Sequence, residues 1–247
     1  MFIKDSTIFI ITMPCRKESV LKELKKNGIT KFSLVEAVDG LSLGAEKLNQ
    51  MLMEEVGSEW FVPYGGCIND KNIGAVGCYL SHIKALKMAV SWGWDSVILE
   101  DDINFNFTDY VELATEADIV YLGGVLRKNK KDSVYETLNG SNYIDSTKVK
   151  YYTTMGYWVR EPQLILDLMK KYRPKRLDCF YCSYCQKQLN CHFINPPMIT
   201  QNPALMSLID IDGRYKQRFL NAQIKGTSNS VERTIPDATV SHPFFFG

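Results

Sequence analysis

Val97-Ile98-Leu99-Glu100-Asp101-Asp102 is an apolar run that ends in three consecutive carboxylates. A short, unbroken apolar run predicts a strand covered on both faces, as in a parallel sheet. Three negative charges at its end repel one another, and burial raises the cost further. A divalent cation at that place is the simplest compensation. Side chains alternate along a strand, so Glu100 and Asp102 project to one side and Asp101 to the other. A pair at i and i+2 can hold one metal between them. The alternative is an exposed strand end followed by an acidic turn.

Outward from this stretch, strands and helices alternate, which implies an α/β fold with a mostly parallel central sheet. Ile8 to Ile11 makes a first buried strand. An amphipathic helix follows with Val20, Leu21 and Leu24 inward, ending near Asn27-Gly28. Phe32 to Val38 reads as a second strand, with Asp39-Gly40 as the turn at its carboxyl end. A helix is expected around Ala45 to Val56, then an irregular loop from Glu59 to Asn72. Val76, Leu80, Ile83, Leu86 and Val90 recur at spacings of three and four, so a helix with one apolar face leads to Gly93 and the acidic strand.

Asp118 to Leu122 is a further strand, and Gly123-Gly124 after it would let a backbone approach a ligand closely. The basic run from Arg127 to Lys131 reads as a solvated loop. Tyr151 to Val159 is expected as one strand and Gln163 to Tyr172 as a helix. In open α/β sheets ligands bind beyond the carboxyl ends of the strands. Asp39, the triplet at 100–102 and Gly123-Gly124 all fall at such ends.

The chain has 247 residues, 45% of them hydrophobic and 23% charged, which suits a single α/β domain over 1–247. A net charge of +1 gives no drive toward nucleic acid. Ile8 to Ile11 is far too short to span a bilayer and has no cleavage-site pattern. A cytoplasmic chain, at most peripherally attached to a membrane, is expected. Seven cysteines, an odd number, with no signal peptide argue against a disulfide framework. Cys179, Cys182, Cys185 and Cys191, with His192, have partly zinc-like spacing; free, partly buried thiols are the other reading.

Ile73-Gly-Ala-Val-Gly-Cys-Tyr-Leu-Ser-His82, then a helix, then Val-Ile-Leu-Glu-Asp-Asp102, resembles the signature of glycosyltransferase family 25. That family contains bacterial lipooligosaccharide galactosyltransferases and collagen-type galactosyltransferases. Ile11-Thr12 with Arg16, and Glu36-Ala-Val-Asp-Gly40, are similar to its opening strand and "AVDG" turn. Thr153-Thr154-Met-Gly156-Tyr157, Asp178, and Pro196-Pro197 with Gln201 continue the likeness, which spans about residues 7–210 and leaves 211–247 as a tail or lid. Glu161-Pro162 and the cysteine-rich segment after Asp178 depart from the family's pattern.

The resemblance implies a GT-A-like (Rossmann-like) fold, a nucleotide-sugar donor and inversion at the anomeric carbon. It implies a UDP-sugar dependent hexosyltransferase, with galactose the default sugar and a glycan, lipooligosaccharide or glycoprotein hydroxyl as acceptor. Glu100 and Asp102 would then hold Mn²⁺ or Mg²⁺ against the diphosphate. Asp101 would meet the donor's ribose or sugar hydroxyls, Asp39 with Gly40 the nucleoside, and Arg16 the base or phosphate. Gly123 and Gly124 would also line the donor. His82 is either a donor contact or a core histidine. Asp178 is the expected general base, with Asp210 and Asp212 behind it. His242 is either a further metal ligand or part of a frayed tail. Two other classes stay open: a catalytically inactive nucleotide-sugar-binding protein of this fold, and a zinc-stabilised interaction module around Cys179 to His192. A dinucleotide-dependent dehydrogenase is disfavoured, since no GxGxxG follows the first strand.

Overall fold

The computed structural model describes residues 6–61, 68–69, 72–93, 95–105, 116–128, 137–138, 141–144, 149–152, 154–195 and 197–202. The strands are β1 (Thr7–Thr12), β2 (Phe32–Glu36), β3 (Ser96–Glu100), β4 (Ile103–Phe105), β5 (Ile119–Tyr121) and β6 (Val125–Lys128). They continue as β7 (Thr137–Leu138), β8 (Ser141–Tyr143), β9 (Val149–Tyr152), β10 (Gly156–Val159), β11 (Cys191–Ile194) and β12 (Ile199–Gln201). The long helices are α1 (Lys17–Lys26), α2 (Gly40–Val56), α3 (Ile73–Trp92) and α4 (Pro162–Lys171).

The main sheet has the order β2-β1-β3-β10-β5-β11-β8-β7 among the described residues. β1 pairs in parallel with β2 and with β3, and β5 pairs in parallel with β11. β10 lies antiparallel between β3 and β5. Thus β2, β1, β3, β5 and β11 point the same way, and their carboxyl ends share one edge of the sheet. This is the α/β, GT-A-like arrangement expected from the sequence, with β10 reversed inside it and β8 antiparallel near the far edge.

Val97, Ile98 and Leu99 of β3 are fully buried, as are Ile8 and Phe9 of β1. Each such side chain contributes about 1.5–3 kcal/mol relative to exposure, so β3 is anchored through its apolar half. That anchoring fixes where its acidic end emerges. α3 covers the sheet with Val76, Tyr79, Leu80, Ile83 and Leu86 buried, and ends at Gly93 in the left-handed conformation (φ 75°).

α3 approaches the β2–α2 turn at backbone distance. A Cβ on Gly77 would lie 2.5 Å from the Val38 carbonyl oxygen. One turn on, Ser81 Oγ accepts from the Val38 amide (2.8 Å) and donates to the Gly77 carbonyl (2.7 Å). The turn is therefore held by α3 as well as by its own residues.

Several local expectations change. Leu21 and Val90 are more than a third exposed (37% each) because the apolar faces of α1 and α3 are narrower than their periodicity suggests. α2 begins at Gly40 rather than near Ala45, capped by Asp39, with a break at Gly44 (φ 76°). Tyr151 to Val159 is not one strand: β9 pairs with β6 and β10 joins the main sheet. Arg127 and Lys128, expected in a solvated loop, belong to β6. Between Leu177 and Gln188 lies a continuous helical segment, including a π-helical turn at Tyr181–Cys185, that periodicity did not reveal. No helix among the described residues is long and apolar enough to cross a membrane.

Gly77→Ala should destabilise the fold by about 1–3 kcal/mol, since backbone rather than a flexible side chain occupies the space. Urea unfolding checks this, and an unchanged midpoint would show that α3 does not seat on the turn in this way.

Candidate active site

The three carboxylates at the end of β3 are each disposed of differently. Asp101 turns toward β1: its Oδ1 accepts from Arg16 Nη1 at 2.8 Å and its Oδ2 from the Met13 amide at 2.9 Å. Both side chains of this pair are about nine-tenths buried, so the bond joins the ends of β1 and β3 in a low-dielectric setting. Arg16 and Asp101, expected to meet a donor, thus hold each other.

Glu100 turns toward α3 and β10. Its Oε1 accepts from Thr154 Oγ1 at 3.1 Å and lies 3.3 Å from His82 Nε2. His82 Nδ1 lies 3.1 Å from the Tyr157 hydroxyl, and the two rings stack with centroids 5.9 Å apart. A carboxylate only accepts, so Nε2 donates to Glu100, while the Tyr157 hydroxyl can either donate to Nδ1 or accept from it. His82 is fully buried with both nitrogens engaged, so it acts on Glu100 rather than facing open solvent.

Asp102 is buried, and its Oδ2 accepts from Gln201 Nε2 at 3.2 Å. Its Oδ1 is buried with no hydrogen-bond partner among the described residues. Burial first, and then the charge of Glu100, push its carboxyl up to about 7. The backbone around it is fixed by the Asn202 amide donating to its carbonyl at 2.7 Å.

Charge accounting at the strand end is uneven. Asp101 has Arg16, and Asp178 has Arg176 Nη2 at 3.4 Å. Neither Glu100 nor Asp102 has a lysine or arginine within ion-pair distance among the described residues. A dication would supply the two missing charges, and the orphaned Asp102 Oδ1 is a ready oxygen ligand. The residues therefore fit the ion that the family resemblance implies. A second constellation adjoins this pair. Cys78 offers its Sγ, His82 a ring nitrogen and Glu100 a carboxylate oxygen, and these atoms lie within 4.8 Å of one another.

Asp178 sits in the first turn of a short helix, α5 (Leu177–Phe180), with Oδ1 accepting from the Cys179 amide at 2.8 Å. The charges of Glu100, Asp178 and Asp102, after burial, push the Cys78 thiol up. Asp178 is therefore within electrostatic reach of the same corner.

The other expected donor contacts are placed otherwise. Asp39 caps α2, accepting from the Leu41 and Ser42 amides (3.1 and 3.2 Å) and from Ser42 Oγ (2.5 Å). The Ser42 hydroxyl holds its carboxyl below the ordinary range. Gly40 is required by the Ile73 carbonyl, 2.3 Å from where its Cβ would be, and Gly123 by the Ile199 carbonyl, at 2.2 Å. Close approach at these glycines is by the protein's own backbone. Gly124 follows Gly123 just beyond the end of β5. His242, Asp210 and Asp212 lie outside the described residues.

Thr154 and Tyr157 join the site through the reversal of β10, which sets Tyr157 opposite Ile98 and Gly156 opposite Leu99. Periodicity gives no hint of this; only the sequence likeness around Gly156-Tyr157 marked the segment. The zinc-like spacing at Cys179 to His192 does not bring its ligands together among the described residues, and Cys179, Cys182, Cys185 and Cys191 are unbridged thiols, the reading that the sequence favoured. Cys182 Sγ instead donates to the Tyr151 carbonyl at 3.2 Å, Cys185 and Cys191 are buried in the core, and His192 bonds Asn190 at 3.2 Å.

Residues 5–176 match the family model described as glycosyltransferase family 25 (LPS biosynthesis protein). This chain belongs to glycosyltransferase family 25. Among curated family-25 relatives, the cow "probable inactive glycosyltransferase 25 family member 3" is 31% identical over 149 residues. The human "inactive glycosyltransferase 25 family member 3" is 30% identical over 147. These matches cover 53% and 54% of this chain but only 24% of each relative, so the chain spans about a quarter of their length. Among solved structures, the inositol-1-phosphate CTP transferase from T. maritima aligns with 90% of this family-25 chain and 98% of its own. It does so at 11% identity and a TM-score of 0.40, too low to argue from.

Because its folded pKa lies above the unfolded value, Asp102 keeps its proton in the native state where the unfolded chain has lost it. Its contribution to stability should fall as pH rises from about 4 toward about 7, then level off. In metal-free buffer Asp102→Asn should therefore melt above the parent at pH 8 and close to it at pH 4.5. The same offset at both pH values would show that this carboxyl is not the strained group.

Proposed function

We propose that this chain is a metal-dependent, inverting glycosyltransferase. It moves a hexose, galactose as first choice, from a UDP-sugar to a hydroxyl of a glycan, lipooligosaccharide or glycoprotein. The observation that carries the reading is Asp102 Oδ1, a buried and unpaired carboxylate oxygen beside Glu100 at the carboxyl end of β3, in a member of family 25. Ligands of open α/β sheets bind at that edge. A buried oxygen left bare costs free energy unless something fills the place.

Glu100 and Asp102 would hold Mn²⁺ or Mg²⁺. Held there, a dication would offset the negative charge that develops on the departing diphosphate. Thr154 and His82 fix the rotamer of Glu100, and Gln201 that of Asp102. Asp101 keeps Arg16 at the mouth of β1, where its guanidinium can meet the base or a phosphate, and a donor hydroxyl would have to share an Asp101 oxygen with Arg16 or the Met13 amide. The turns at Asp39-Gly40 and Gly123-Gly124 lie at the strand ends where the nucleoside and sugar would be held, with Asp39 and the glycines shaping the turns. Asp178 serves as general base. The acceptor oxygen bonds to the anomeric carbon on the face opposite the nucleotide, and the acceptor proton passes to Asp178. The bond from that carbon to the diphosphate oxygen breaks, and UDP leaves with the electron pair.

A second reading is a donor-binding protein without turnover. It is favoured by the names of the two curated relatives, both called inactive. A panel of nucleotide sugars with Mn²⁺, read by release of nucleoside diphosphate, separates the two. Turnover with a UDP-hexose that falls at least 100-fold in Asp102→Asn and in Asp178→Asn is the expected result. Equal turnover in parent and Asp102→Asn would remove the metal pair from the mechanism. UDP binding without release from any donor would establish the second reading.

A further inference from the structure

Cys78 and His82 are one turn apart on α3, at i and i+4, so both side chains face the end of β3 together. His82 points Nε2 at Glu100 Oε1 across 3.3 Å. Tetrahedral zinc, with N and O ligands about 2.0–2.1 Å from the ion, sets those ligands about 3.3 Å apart. The thiol completes three ligand atoms, all within 4.8 Å of one another.

Two of the three ligands already have the outer partners that metal sites use. The Tyr157 hydroxyl sits 3.1 Å from the far nitrogen of His82, and Thr154 donates to Glu100 at 3.1 Å. Such partners fix the ring and the carboxylate, and the Tyr157 hydroxyl can accept from Nδ1–H in the tautomer that leaves Nε2 bare. An ion between Nε2 and Oε1 would take the place of the proton they share, and Nδ1–H would then donate to Tyr157. His82 is fully buried, whereas a quarter of the Glu100 side chain is exposed, so entry is from the Glu100 side.

The geometry points to a thiophilic metal site of the zinc class, formed by Cys78, His82 and Glu100. Its donor set differs in kind from the all-oxygen pair of Glu100 and Asp102. Sulfur and imidazole select zinc over magnesium or manganese, while carboxylates select the harder ions. Three protein ligands leave a fourth position for water or substrate. The inference rests on the proposed transferase reading only in the sharing of Glu100, which would make occupancy of one site exclude the other.

Cobalt(II) titrated into the metal-stripped full chain tests the site, because thiolate-bound cobalt has a near-ultraviolet charge-transfer band. One equivalent should raise that band in the parent and in Cys15→Ser and Cys182→Ala, and equimolar zinc should abolish it. Cys78→Ser should lack it, and His82→Gln should need at least tenfold more cobalt. No thiolate band in the parent, or one that persists in Cys78→Ser, would overturn the inference. A readout on the unaltered chain guards against misfolded variants. Zinc should slow alkylation of Cys78, followed by peptide mass spectrometry, at least tenfold, and an unchanged rate would equally overturn it. Failure of manganese-dependent UDP binding would count against the transferase reading and leave both thiol readouts unaffected.

Discussion

Three adjacent carboxylates at the end of a buried strand repel one another, and the surrounding structure separates them by giving each a different environment. Asp101 is neutralised by Arg16 and the Met13 amide, which ties β1 to β3 at the edge where ligands bind. Glu100 is steered by His82 and Thr154, which brings α3 and β10 to the same point. Asp102 receives a single hydrogen bond on one oxygen and is left with the other bare and buried. The apolar half of β3 holds all three in place, since Val97, Ile98 and Leu99 cannot shift without losing full burial.

This arrangement sets a local cost to stability against a capacity to bind. Removing one charge would relieve the repulsion between Glu100 and Asp102, and adding a dication would relieve it from the other direction. Sites that carry such strain are where ligands are held. The same edge offers the ion a choice of donors, oxygen on the Asp102 side and sulfur with nitrogen on the α3 side. Glu100 is common to both, so its rotamer decides which set is complete.

The sequence made the strand and its burial readable, because these follow from an apolar run, whereas Asp101 and Asp102 lie in a bend beyond the end of β3, where the two-residue period no longer applies. α3 was equally clear from its spacing. The reversed β10 was not, because a strand's direction depends on what it pairs with rather than on its own residues. With it went the roles of Thr154 and Tyr157, which contact Glu100 and His82 only through that reversal. Asp39 and Gly123 illustrate a different limit. A turn aspartate and a strand-end glycine look alike whether they serve a ligand or the fold, and here Asp39 caps α2 while Gly123 admits the Ile199 carbonyl. Leu21 and Val90 show the same limit for helices, since periodicity gives the centre of an apolar face and not its width.

The central claim is that Glu100 and Asp102 grip a divalent ion that in turn grips a nucleoside diphosphate. Calorimetric titration of UDP into the metal-free full chain, with and without Mn²⁺, addresses it without requiring an acceptor. Affinity for UDP should be at least tenfold higher with Mn²⁺, a difference of about 1.4 kcal/mol. The same affinity in both buffers would contradict the account.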